Sequence, residues 1–369
     1  MNFEVSAEHS PMSGIDEYLI HNYPHPVRVM WTSDPRAYER LWFTAQDKIG
    51  EVFFVCGLGF YPNLGTAEAY ALVNHNGVHR SVHAHRKMGD DRTDMKVGPF
   101  NFEIIEPFKQ WHATLDDNEW GISYDLQWFD TKRAVFQQLG AGLIHNGRVG
   151  GNTAGYESFG EQRGTITVAG QSIAIERTAF SGSRDHHWGV RDGVGGPKHW
   201  MGSKWPMSGQ WVEFSDWSLW SPRILYNFGD PRQGAGATVN RVHRIRFEPD
   251  TKIPVSGEID IYLPDGTQKM LTFERLGNQI GFLRCGMYGG VNGGTPVGDI
   301  WHGMDVGDAV MGEIHDANDP EVRAAVTGQD NLHCRFECDG EVAFGIVEPV
   351  TPVCYEFAKA GLMGFSIIE

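Results

Sequence analysis

Ala67-Glu68-Ala69-Tyr70-Ala71-Leu72-Val73-Asn74-His75, then Asn76-Gly77, then Val78-His79-Arg80-Ser81-Val82-His83-Ala84-His85-Arg86-Lys87: two strand-like runs are joined by two residues. Asn-Gly is the strongest two-residue hairpin signal, because both central residues of the matching turn need positive φ. The turn also fixes the register. His79 falls opposite Asn74, His83 opposite Tyr70 and His85 opposite Glu68, so His79, Ser81, His83 and His85 share one face. Two histidines at i and i+2 on a strand can converge on a metal. No further ligand stands at a metal-site spacing, so the row is read as polar and water-facing, and no metal is assigned.

The same pattern recurs on both sides of this hairpin. Glu51 to Gly57 is apolar and β-branched. Trp120, Ile122, Tyr124, Leu126 and Trp128 alternate with polar residues. Gly164–Val168 and Gln171–Glu176 flank Ala169-Gly170, which sets Ile166 opposite Ile173. Gly257–Leu263 and Gln268–Glu274 flank Asp265-Gly266, and Leu332–Cys338 and Glu341–Val347 flank Asp339-Gly340. Gln210–Trp220 and Thr238–Phe247 read as further strands. Helices are expected only at Asp34–Trp42 and from Asp319-Pro320 to Val326, each opened by an acid followed by Pro. The fold class is therefore all-β: two tandem antiparallel units with few short helices, divided near residue 195. Trp200–Trp205 reads as the linker. Each unit has enough strands for a barrel or sandwich, and a small barrel can hold one apolar ligand.

Composition narrows the function classes. The 369 residues exceed the size at which single cores stop growing, and 12 Trp have large apolar surfaces to cover. The net charge of −16 argues against nucleic acid or an anionic membrane as partner. No window of 18 apolar residues spans a bilayer. The start of the chain, Met1 to Gly14, shows no secretory signal. Cys56, Cys285, Cys334, Cys338 and Cys354 are odd in number and scattered, as reduced thiols in a cytoplasmic protein would be. Cys334 and Cys338 share parity with Leu332 and Phe336, which marks a core face.

Common catalytic signatures are absent. There is no Gly-x-Ser-x-Gly elbow, no His-Glu-x-x-His and no phosphate loop. Gly57-Leu58-Gly59 has no following helix. Asp316, Asn318 and Asp319 lack the glycine and glutamate of a calcium loop and read as a capped helix start. What remains is Arg184-Asp185-His186-His187-Trp188-Gly189-Val190-Arg191-Asp192. It alternates neither as a strand nor as a helix and reads as a loop. Its charges either tie the two units together by ion pairs or face a ligand. Downstream, Asp216 shares parity with Val212, Phe214 and Trp220. There it is either an acid in an apolar pocket, pushed toward its neutral form, or the start of a turn into Trp217-Ser218.

Gly164-x-Ile166-x-Val168-x-Gly170 followed by Arg184-Asp185-His186-His187-Trp188-Gly189 resembles the AttH/CrtC-like family of tandem lipocalin-like proteins, which includes carotenoid hydratases and some fungal pericyclases. The resemblance implies two lipocalin-like β-barrels, residues 1–195 and 196–369, with an apolar pocket near their junction. In the hydratase branch an acid stands in Tyr-x-Asp downstream of His-x-Trp. His186 and Trp188 match the latter. Phe214-Ser215-Asp216 takes the place of the former, with Phe214 replacing Tyr.

The resulting expectation is a cofactor-independent lyase or isomerase of the hydratase or dehydratase type, acting on a hydrophobic terpenoid, steroid or aromatic substrate. Asp216 is the acid, His186 orients it, and the face of Trp188 steadies the developing cation. Arg184, Asp185, His187, Arg191, Phe214 and Trp217 line the substrate. No cofactor is called for. A carrier of a lipophilic molecule is the alternative, and a pericyclase, which needs no acid, is a third reading.

Overall fold

Three of the hairpins close as the turn residues require. Asn76 and Gly77 stand at φ 53° and 74°, Ala169 and Gly170 at 50° and 83°, and Asp339 and Gly340 at 53° and 82°, all in the left-handed region that these two-residue turns need. The computed structural model describes residues 14–369 apart from 18, 22–23, 133, 135, 139–142, 146–147, 192, 197–207, 222, 227–239, 264–265 and 285–299. Asp192, the Trp200–Trp205 linker, Asp265 and Cys285 lie outside the described residues, as do Thr238 and most of the stretch read for a secretory signal.

The principal strands of the first half are β1 (Ala37–Asp47), β2 (Val52–Tyr61), β3 (Thr66–His75), β4 (Val78–Lys87), β5 (Phe100–Glu106), β6 (Gln110–Leu115), β7 (Ile122–Asp130), β8 (Arg148–Val168) and β9 (Phe180–Val190). Those of the second half are β10 (Ser208–Glu213), β11 (Trp217–Trp220), β12 (Arg223–Tyr226), β13 (Asn240–Phe247), β14 (Pro254–Tyr262), β15 (Gln268–Arg275), β16 (Ala309–Asp316), β17 (Asp330–Cys338), β18 (Glu341–Pro349) and β19 (Phe365–Ile367). They form two curled sheets, each a half-barrel. The first runs β16-β4-β3-β2-β1-β9-β8-β7-β6-β5, and the second β12-β11-β10-β18-β17-β15-β14-β13-β19. Pairing is antiparallel except between β13 and β19. One strand of the second half, β16, pairs with β4 and so belongs to the first sheet.

Alternation then decides what each face buries. Phe43, Phe54, Trp111, Tyr124 and Trp128 fill the inside of the first sheet, each contributing roughly 1.5–3 kcal/mol. Val212, Ile259, Ile261, Phe273, Leu332 and Phe336 fill the second. The outer face of β1, β2 and β3 is not solvated. Trp42, Phe53, Val55, Tyr70 and Leu72 pack against Leu283, Ile346 and Trp211 of the second half. This junction is what the periodicity does not announce.

The hairpin registers agree with expectation: His79 pairs with Asn74, His83 with Tyr70 and His85 with Glu68, and Ile166 pairs with Ile173. Asp319 caps helix α1 (Pro320–Val326), accepting from the backbone N–H groups of Glu321 and Val322. Helix α2 (Thr351–Ala360) escaped the sequence reading, although Pro352 opens it and Gly361 ends it at φ 65°.

Four expectations are corrected. Asp34-Pro35 opens a turn and not a helix, with the Asp34 carboxylate accepting from the Arg36 N–H at 2.9 Å, and the residues after it are β1. Gln210–Trp220 is a hairpin, β10 and β11, with Trp211 paired to Trp220. The stretch from Arg184 to Val190 is strand, not loop. The His79, Ser81, His83, His85 face does not meet water: these residues are 1–3% exposed.

Candidate active site at the junction of the two sheets

β9 lies between β1 and β8, so its side chains divide strictly between two environments. Arg184, His186 and Trp188 point to one face, and Asp185 and His187 to the other. The polar residues destroy the alternation in sequence because both faces are buried or partly buried.

On the junction face, Asp185 pairs across to Trp42 of β1 and to Glu157 of β8. Arg40 pairs across to His187. Nε2 of His187 is 2.6 Å from Oε1 of Glu157, and Nδ1 of the same ring is 3.4 Å from Oδ2 of Asp185. The Glu157 carboxylate can only accept, so the ring proton sits on Nε2 and the neutral ring turns its bare Nδ1 to Asp185. Burial raises the Asp185 pKa to about 6, helped by Glu348 and opposed by Arg40, His186 and Arg191. Burial likewise holds His187 well below the ordinary imidazole value, reinforced by Arg40 and Arg191. Below about pH 6 the compatible state is a protonated Asp185 facing an unprotonated ring nitrogen. A carboxyl that keeps its proton at that pH is a competent acid.

Glu157, Asp185 and His187 also offer donor atoms within 4.8 Å of one another, a separation that suits a divalent metal. Against an ion stands Arg40, whose guanidinium is 3.8 Å from Asp185, and the carboxylates already facing both nitrogens of His187.

Along the junction a second polar group continues the row. The Glu68 carboxylate is hydrogen-bonded by Tyr61 and by His302 from the second half. Burial alone would raise its pKa. His302 outweighs that, with help from His85 and His83, and holds it at about 2. The parity of β4 was legible in sequence, but nothing there showed that His302 would cover Glu68.

On the opposite face of β9, Nε2 of His186 is 2.9 Å from Oε1 of Glu39. Arg92 pairs with the same carboxylate. Trp188 contacts His186, Tyr156 and Phe136 at ring separations of 5.2, 6.5 and 6.2 Å. Back on the junction face, Arg191 stacks over Tyr38 at 5.4 Å.

The trio Asp216, His186 and Trp188 is not assembled as expected. Phe214-Ser215-Asp216 is the turn between β10 and β11, where Ser215 and Asp216 are exposed. The backbone N–H of Phe214 closes that turn onto the Trp217 carbonyl. Phe214 and Trp217 stack on each other at 4.6 Å inside the second core. Arg184 is fully buried against Asp130. Asp185, His187 and Arg191 do gather at the junction. Sequence reasoning missed Glu157, Arg40, Glu39 and Tyr156, which are neighbours only through strand pairing.

Comparison with known proteins follows from this geometry. No curated protein matches the sequence. Solved structures similar to the chain include an AttH protein from Nitrosomonas europaea, at 11% identity and TM-score 0.39, covering 85% of this chain and 92% of that one. Kievitone hydratase from Nectria haematococca is similar at 12% identity and TM-score 0.36, covering 85% and 88%. CghA with Sch210972 is similar at 11% identity and TM-score 0.44, covering 86% and 89%. A family model does match residues 12–219, more than half of the chain, and the chain therefore belongs to that family, described as a family of unknown function (DUF8625).

Proposed function

We propose that this chain is a cofactor-independent lyase or isomerase of the hydratase or dehydratase type, with Asp185 as the acid and a hydrophobic terpenoid, steroid or aromatic molecule as substrate. The observation that carries the reading is the Asp185 carboxyl, buried at the junction and protonated up to about pH 6, against the bare Nδ1 of His187. In the hydration direction Asp185 gives its proton to an alkene carbon. The resulting cation takes up water, and the proton that water sheds returns to the Asp185–His187 pair. In the other direction the proton goes to a hydroxyl, which leaves as water, and the cation loses a proton to form the alkene. Glu157 fixes the ring of His187. Cys56, Cys334, Cys338 and Cys354 are buried and free, which suits a reducing compartment, and we assign the chain to the cytoplasm.

Incubation with a terpenoid, steroid and phenolic panel should give products differing by one water or by rearrangement at constant mass. Asp185→Asn should lower turnover at least a hundredfold, roughly 3 kcal/mol of barrier, with the melting temperature nearly unchanged. Turnover surviving in Asp185→Asn removes this assignment and leaves the pericyclase. Turnover lost on chelation and restored by a divalent ion replaces it with the metal. A second reading, a carrier without chemistry, draws its support from the aromatic row on the other face of β9.

A further inference from the structure

Phe108, Tyr156, Trp188 and Phe136 form a continuous row of rings across the first sheet, with separations of 5.4, 6.5 and 6.2 Å. Its two ends are open: Phe108 is 55% and Phe136 65% exposed. At one end Phe136 stands beside the half-buried Trp188, and a large ring left in water next to a second one marks a contact surface. Tyr156 in the middle of the row is fixed from beneath by Arg184, whose guanidinium lies 5.2 Å from the ring and donates to the hydroxyl at 3.2 Å.

The polar corner of the row is as defined as its rings. His186 touches both Tyr156 and Trp188 and is hydrogen-bonded to Glu39, which Arg92 pairs from the other side. The Glu39 side chain remains 35% exposed. A partly exposed carboxylate beside aromatic faces accepts a hydrogen bond from a hydroxyl and repels an anion.

We propose that the Trp188 end of this row is a binding site for a flat aromatic or polycyclic molecule bearing a hydroxyl group, with the ring system on Trp188 and Phe136 and the hydroxyl at Glu39, the residue paired across from Trp188. The site lies on the face of β9 opposite Asp185 and does not depend on the acid assigned there.

The test is calorimetric titration of the full chain with 2-naphthol, 2-naphthoate and cyclohexanol. Saturable 1:1 binding of 2-naphthol is expected, at least tenfold tighter than either of the others. Phe136→Ala should weaken it at least fivefold, while Phe108→Gly, at the far end of the row, should bind as the parent does. Phe136 is exposed, so Phe136→Ala should leave the melting temperature unchanged, and lost binding cannot then be ascribed to lost fold. Asp185→Asn should bind as the parent does, which separates this site from the proposed chemistry. Absence of saturable binding, undiminished binding by Phe136→Ala, or preference for 2-naphthoate overturns the proposal.

Discussion

Arg184 donates two parallel hydrogen bonds to Asp130, from Nε to Oδ1 at 2.9 Å and from Nη2 to Oδ2 at 2.7 Å, and neither side chain meets solvent. Asp130 also accepts from the Trp128 indole and the Ser158 hydroxyl, both at 2.6 Å. The pair therefore locks β7, β8 and β9 to one another. Arg184→Met strands a buried carboxylate and should cost about 3–5 kcal/mol in urea unfolding. Adding Asp130→Leu should recover part of that loss. A cost below about 1 kcal/mol for the single change would show that the pair is not holding the strands.

Asp216 stands in an exposed turn, so Asp216→Asn should change stability by no more than about 0.5 kcal/mol and leave turnover of the substrate panel intact. A large fall in turnover would return the acid to this residue.

Burial holds His79, His83, His243 and His333 at about 3, against 6.5 when unfolded. Below pH 6.5 the unfolded chain takes up protons that the folded chain refuses. Stability is therefore complete above that pH and falls as the pH drops toward 3, by about 1.4 kcal/mol per pH unit for each ring. Asp185 and Asp330, raised by burial to about 6 from 3.8, act in the opposite sense between those values and offset part of it. With four rings against two carboxyls, the melting temperature should fall from pH 7 to pH 5. Replacing His79 by Phe and His83 by Gln should flatten the profile. A melting temperature that holds or rises over that interval contradicts this account.

Gly57 faces the junction where the Tyr70 ring crosses β2. A Cβ there would run into the Leu41 carbonyl and the Tyr70 ring. Gly57→Ala should destabilise by about 1–3 kcal/mol through overpacking, read as a shift in the denaturation midpoint. This glycine serves close packing, and a neutral alanine variant would refute that role.

The hairpins were legible because a two-residue turn and a period of two are local properties. Asn76-Gly77 alone sets the pairing of Glu68 with His85. The Cys334 and Cys338 parity was readable for the same reason, and both are buried in the second core. The same rule failed at β9. There the side chains alternate between two buried polar environments, and an apolar-polar rhythm has nothing to register. It failed again at Asp216, because the parity of Gln210–Trp220 was extended through a turn.

What the sequence determined by itself was the strand-and-turn grammar and the all-β class. What only the tertiary structure decided was which of those residues share a site. Asp130 is 54 residues from Arg184, and Glu157 is 30 from His187. Separations of that length are closed by strand pairing and by the packing of one sheet on the other. The environment of a charge depends on both, and no local pattern carries it.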